Sequence, residues 1–170
     1  MPFVSNQGVN IHYDVEGAGP NLLLVHGLTA RRQGWFEFGY ADALRASHRV
    51  IVMELRGHGR SDKPHDPEAY TREAMVGDVL AVLDAAGADR AVYWGYSLGA
   101  NVGYSTSLLA AERFGAFVLG GMHPYLRGPA GNGGSRVPSR IPAFKQGMQH
   151  YYDTIVKPEL KEPLPPDRLT

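Results

Sequence analysis

Ser97 is the residue with the strongest claim to chemistry. It stands at the centre of Gly95-Tyr96-Ser97-Leu98-Gly99, directly after the apolar run Ala91–Trp94. A G-x-S-x-G pentapeptide between a buried strand and a helix places its serine on a sharp turn, with the hydroxyl projecting into a cleft. Gly95 and Gly99 remove the Cβ atoms that would collide at such a turn. The helix that begins there points its N-terminal N–H groups at the site and favours a developing negative charge. The chemistry is nucleophilic attack on an acyl carbon, which also requires a base and an acid. The backbone N–H of Leu98 is one oxyanion donor, and such a donor is typically worth about 100- to 1000-fold in turnover. The competing reading is a tight strand–helix turn with an idle serine.

An imidazole is the side chain suited to take the serine's proton near neutral pH. His123, just after the apolar run Phe117–Leu119, is the candidate base. His150, beside Tyr151, Tyr152 and Asp153, reaches the site only if its own helix folds over the cleft. No pair of histidines or carboxylates has a metal-ligand spacing, so neither a metal nor a cofactor is expected. Asp78, Asp84 and Asp89 lie on or near a helical segment and are expected to be solvated. Arg56, Arg60 and Lys63 bring positive charge to one short stretch, Arg56–Pro64. The glycines and proline there favour a turn held by side-chain hydrogen bonds over an anion site.

The elements that must position these groups follow from periodicity. Val9–Val15 alternates apolar and polar residues and reads as a half-buried strand paired with a short one near Phe3–Ser5. Leu22–Val25, Val50–Met53, Ala91–Trp94 and Phe117–Leu119 are continuous apolar runs, the pattern of strands covered on both faces. Trp35–Ala46 and Tyr70–Ala86 have helical spacing, the latter with Met75, Val79, Val82 and Leu83 on one face and Gly87 as a stop. A third helix runs from Ser97 towards Gly115. Strands alternating with helices imply an α/β fold: a six-stranded, mostly parallel sheet with helices on both faces and an antiparallel first hairpin. Residues 1–126 form this core. Residues 127–170 continue the same domain as a Gly/Pro/Ser-rich loop, one helix over Pro142–Val156, and a proline-rich tail.

Composition limits the partners. The 170 residues are 44% hydrophobic and 20% charged, with seventeen basic and seventeen acidic side chains. That balance gives no electrostatic case for nucleic acid or an anionic membrane. There is no cysteine, which excludes disulfides, thiolate metal sites and cysteine nucleophiles. No apolar run approaches the roughly 18 residues of a spanning helix, and the start shows no secretory pattern. A cytoplasmic protein is the expectation.

Three motifs, each at the end of an expected strand, carry a resemblance: His26-Gly27, Arg56–Pro64 and Gly95–Gly99. In order and spacing the chain resembles the α/β-hydrolase family, in its esterase-like branch, from about residue 3 to residue 125. Glu54 and Leu55 depart from the pattern, since relatives often carry an aspartate before the arginine. The resemblance implies a shortened α/β-hydrolase fold that lacks the last strands and ends where a cap would begin. It implies that Leu28 supplies the second oxyanion N–H, that His26, Gly27 and Tyr96 line the pocket, and that His26 shapes the oxyanion loop. It also sets the strand before His123 beside the strand before Ser97. Dehalogenases and epoxide hydrolases of the family use aspartate at this turn, so a serine there implies acyl transfer on a small carboxylic ester.

In that family the acid and histidine follow the serine, and the residues after Ser97 are too few to supply them in the usual way. Reduced or partner-completed catalysis is therefore expected. The rival expectations are an inactive binding or assembly module, and the N-terminal fragment of a longer hydrolase. A homodimer is expected, through the exposed 117–121 strand or the C-terminal helix, because an apolar edge without charge or proline recruits another chain.

Overall fold

The four apolar runs form the middle and one end of a single sheet. The computed structural model describes residues 2–122 and Thr154, and the chain divides into a first unit, Met1–Pro124, and a second, Tyr125–Thr170. In the first unit the strands are β1 (Phe3–Asn6), β2 (Val9–Glu16), β3 (Asn21–Val25), β4 (Arg49–Met53), β5 (Ala91–Tyr96) and β6 (Phe114–Gly120). They lie in the order β1-β2-β4-β3-β5-β6. β1 and β2 pair antiparallel, as do β2 and β4, while β4, β3, β5 and β6 are mutually parallel. The mostly parallel six-stranded sheet is thus present, and its parallel part places the ends of β3 and β5 side by side.

Alternation along β3 divides the core between the two faces. Leu23 and Val25 join Ile51, Met53 and Tyr93 on the face covered by α3 (Arg72–Ala85) and α4 (Leu98–Leu109). Leu22 and Leu24 join Val50 and Val52 on the face covered by α1 (Gln33–Glu37) and α2 (Tyr40–Leu44). All of these side chains are buried, and full burial of one such side chain contributes about 1.5–3 kcal/mol.

Several expectations change. Trp35–Ala46 is not one helix: Gly39, at φ 76°, ends the first turn-and-a-half and starts the second as a left-handed N-cap. The last strand begins at Phe114, three residues before the apolar run, because Phe114 and Ala116 pair with Ala91 and Val92 across a register shift that leaves Gly115 between them. β2 is not simply half-buried: Ile11, His12 and Tyr13 are all buried, with the His12 ring edge-on to Phe3. Apart from Thr154, the helix expected over Pro142–Val156 lies outside the described residues. No described helix is long and apolar enough to cross a membrane.

Asp78 is the largest correction, since it is fully buried rather than solvated. Its carboxylate receives two hydrogen bonds from the Arg56 guanidinium, Nε and one terminal nitrogen, each at 2.6 Å. Asn6 donates to the same carboxylate at 2.8 Å and to the Ala74 carbonyl at 3.1 Å. The remaining guanidinium donors reach the carbonyls of Ala69 and Ala74. One buried, bidentate pair therefore joins β1, the segment after β4, the 3₁₀ turn Pro67–Tyr70 and α3. Removing one partner of such a pair strands a buried charge and typically costs about 3–5 kcal/mol, whereas replacing both by apolar groups is often neutral. Asp78→Ala is accordingly expected to lower the urea-unfolding free energy by about 3–5 kcal/mol. The double change Arg56→Met with Asp78→Leu is expected to recover more than half of that loss.

Candidate active site

The turn after β5 is built on close packing. Ser97 has φ 53° and ψ −111°, a left-handed backbone that side chains rarely adopt, and it caps the N-terminus of α4. A Cβ on Gly95 would lie 2.5 Å from the Gly99 carbonyl carbon and 2.8 Å from the Ala100 nitrogen. A Cβ on Gly99 would lie 2.7 Å from the Val25 carbonyl carbon and 2.8 Å from the His26 oxygen. The first turn of α4 therefore rests directly on the ends of β5 and β3, and both glycines of the motif are steric requirements. The Ser97 N–H donates to the Gly120 carbonyl of β6 at 2.8 Å, which ties the turn to a third strand. A strained, over-determined residue of this kind is characteristic of functional turns.

The segment after β3 closes against the same serine. A Cβ at Gly27 would stand 3.2 Å from the Ser97 Cβ, so the His26-Gly27 backbone runs past the serine at van der Waals contact. Gly27 to Ala30 then forms a turn, closed by Ala30 N–H to the Gly27 carbonyl at 3.2 Å, with Thr29 at φ 61°. Among the described residues, neither the Leu28 nor the Leu98 backbone N–H is taken up by a backbone hydrogen bond. Leu28, on the loop after β3, and Leu98, at the first position of α4, are thus brought together at Ser97.

His26 is held by both ring nitrogens. Nδ1 lies 2.8 Å from the Gly27 carbonyl, and Nε2 accepts from the Leu55 N–H at 3.2 Å, which fixes the Nδ1–H tautomer. Burial lowers its pKa to about 4, and the neighbouring His58 ring, 5.0 Å away, adds to the lowering. A neutral imidazole with no free nitrogen braces the β3 and β4 loops and has no lone pair left to act as a base. The Arg56–Pro64 segment behaves similarly. The Glu54 carboxylate accepts from the Arg60 N–H at 2.7 Å, and Ser61 Oγ bridges the Glu54 carbonyl and the His12 N–H. Lys63 Nζ binds the Gly59 and Ser61 carbonyls. Lys63 is thus spent on the turn and Arg56 on Asp78, and Glu54 is the anchor of the turn.

Two clefts are lined by the chain neighbours of the serine, Leu98 and Tyr96. The first, about 510 Å³, is lined by Leu28 and Leu98 together with residues of α3 and α4. The second, about 480 Å³, is lined by His26, Gly27 and Tyr96 together with the aromatic cluster Trp35, Tyr40 and Trp94. His123, the candidate base, and His150 lie outside the described residues. No imidazole is hydrogen-bonded to Ser97 Oγ among the described residues, and no group of three metal-ligating side chains occurs among them. What sequence reasoning missed is the second cleft's aromatic wall. Trp94 is far along the chain from Trp35 and Tyr40, and nothing local signals that the three rings meet at 5.5–5.8 Å.

Comparison with known proteins agrees with this geometry. The model of the alpha/beta hydrolase fold family matches residues 20–153. An epoxide hydrolase of Caballeronia sordidicola is 34% identical over 113 residues, which are 66% of this chain and 34% of that protein. The enol-lactonase from Burkholderia xenovorans LB400 superposes with a TM-score of 0.75 at 27% identity, covering 91% of this chain and 58% of that one. Est816, an N-acyl homoserine lactone degrading enzyme, superposes with a TM-score of 0.69 at 31% identity, covering 92% of this chain and 56% of that one. The chain spans 34–40% of the length of the first four curated relatives it matches.

The bracing role of His26 has a pH signature. Its folded pKa lies below the ordinary 6.5, so as pH falls the unfolded chain takes up the proton first. The stabilisation is complete above pH 6.5 and is lost progressively down to about pH 4. At 1.36 kcal/mol per unit, the loss by pH 4.5 amounts to about 2–3 kcal/mol. Urea unfolding at pH 7.0 and 4.5 is expected to show this loss, and His26→Gln, which cannot titrate, is expected to reduce the pH difference by the same amount.

Proposed function

The chain belongs to the alpha/beta hydrolase fold family, and from that premise we propose that it is a serine hydrolase cleaving small carboxylic esters, lactones included, through Ser97. The observation that carries this reading is the strained Ser97 turn, pressed by Gly95 and Gly99 onto the ends of β5 and β3. Ser97 Oγ attacks the carbonyl carbon and its proton passes to a base. The carbonyl oxygen becomes an oxyanion facing the N–H groups of Leu28 and Leu98, and collapse expels the alcohol, which takes up the proton. Water then attacks the acyl-serine by the same route in reverse order and releases the acid. The oxyanion donors gain strength because they are fixed in place before charge develops.

Two features support acyl transfer over opening of an epoxide, the reaction named for the Caballeronia sordidicola relative. The residue at the turn is a serine, whose hydroxyl forms an acyl ester that water hydrolyses. Two structural matches, covering 91% and 92% of this chain, are an enol-lactonase and a lactone-degrading enzyme. His123 remains the proposed base, acting from the segment that follows β6. With its acid partner unassigned, turnover is expected to be well below that of a complete triad. Enzymes that lose triad members retain roughly 1000- to 10000-fold acceleration from oxyanion and binding contributions.

Ser97→Ala is expected to bring hydrolysis of 4-nitrophenyl acetate and butyrate to the buffer background, with an unchanged circular dichroism spectrum. A fluorophosphonate probe is expected to label the native chain and not the variant. Undiminished turnover in Ser97→Ala refutes the assignment.

A further inference from the structure

The chain neighbours of Ser97 part into different surroundings. Leu98 and Leu28 line one cleft, and Tyr96 and Gly27 line the other. Ser97 itself lines neither, and its two chain neighbours open onto two spaces of nearly equal size, about 510 and 480 Å³. Each is within the range of small-molecule pockets, and each holds a short chain or a single ring.

The two spaces differ in chemistry. The second is walled by Trp35, Tyr40 and Trp94, whose rings pack edge to face, and by Tyr96, with Arg31 as its one charged side chain among the described residues. The first has an apolar floor of Leu98, Met75 and Val102, with Arg72, Asn101 and Ser105 among its polar groups. No aspartate or glutamate is among the described residues lining either cleft. Arg56 also lines the first cleft, but its charge is matched by Asp78 at 2.6 Å. Arg72 is exposed at the start of α3 and forms no ion pair among the described residues. Its charge is the one in this cleft that a ligand can neutralise. A guanidinium presents parallel donors that match a carboxylate bidentately, and the Asn101 side chain on α4 adds a neutral donor.

We propose that the first cleft selects an acyl chain ending in a carboxylate, with Arg72 as its specificity-determining residue, while the aromatic cleft receives the leaving alcohol. The preferred substrates are then half-esters of short dicarboxylic acids, or lactones that carry a carboxylate. This assignment rests on Ser97 as the reacting group, but the anion site itself does not need turnover to be seen.

The experiment has two arms on the full chain. In the first, glutarate is titrated and followed by amide chemical shifts, with neutral pentanamide as the comparison. Glutarate is expected to bind and pentanamide to bind at least tenfold more weakly, and Arg72→Gln is expected to weaken glutarate about tenfold. In the second, kcat/KM is compared for 4-nitrophenyl hydrogen glutarate and 4-nitrophenyl pentanoate. The native chain is expected to favour the anionic ester, Arg72→Gln to lower that preference about tenfold through KM, and Arg72→Lys to restore part of it. Glutarate binding that Arg72→Gln leaves unchanged, or no binding at all, overturns the proposal. Binding that depends on Arg72 in a chain that hydrolyses no ester upholds the anion site and refutes the serine reading instead. The exposure of Arg72 makes misfolding of its variants a minor concern, and their melting temperatures verify it.

Discussion

The site depends on how closely α4 approaches the sheet. Two positions without a Cβ, Gly95 and Gly99, let the helix N-terminus lie on the ends of β5 and β3. A methyl group at either would push the helix outward and release the backbone constraint on Ser97. The same contact draws the β3 loop against the serine at Gly27. A left-handed serine would relax if it were free. Here it is held by its own N–H to Gly120 and by the Asn101 N–H to its carbonyl at 3.0 Å. Packing thus stores a conformation that local preference disfavours.

A second layer of support is electrostatic and lies on the α3 side. The Arg56–Asp78 pair fixes the segment after β4 to α3, and that segment presents His58 to the ring of His26. His26 in turn takes the Leu55 N–H and reaches the Gly27 carbonyl. Beneath the turn, His12 Nδ1 lies 3.2 Å from the Glu54 carboxylate, off the line of a hydrogen bond, and burial lowers its pKa. These groups stabilise the β3 loop without touching a reacting atom. They account for a group of ionisable side chains near Ser97 whose interactions go to the fold and not to the serine.

Much of this was readable from local pattern. Each strand has an apolar signature, and G-x-S-x-G marks the turn because its steric reason is local. Other features were not readable. The alternation of β2 put His12 on a polar face, but Phe3 and Glu54 from elsewhere in the chain cover it. Asp78 looks like any helical aspartate until Arg56, twenty-two residues earlier, is folded onto it. Gly39 was absorbed into a helical period because a single glycine lowers helix propensity only modestly, whereas its left-handed conformation here ends the helix outright. The role given to Leu98 follows from its place after the serine in the pentapeptide, whereas that given to Leu28 came from resemblance, since a backbone N–H leaves no trace in residue type.

The strand order has a consequence for biosynthesis. β3, the apolar stretch Asn21–Val25, lies between β4 and β5, both of which follow it in the chain. As the polypeptide emerges, its most hydrophobic strand has no partner on one side until Met53 is out and none on the other until Tyr96 is out. At roughly 5–20 residues per second, that interval is on the order of ten seconds. The nascent chain therefore passes through a stage in which its future centre is its stickiest exposed segment, and holdase chaperones are the natural companions of that stage.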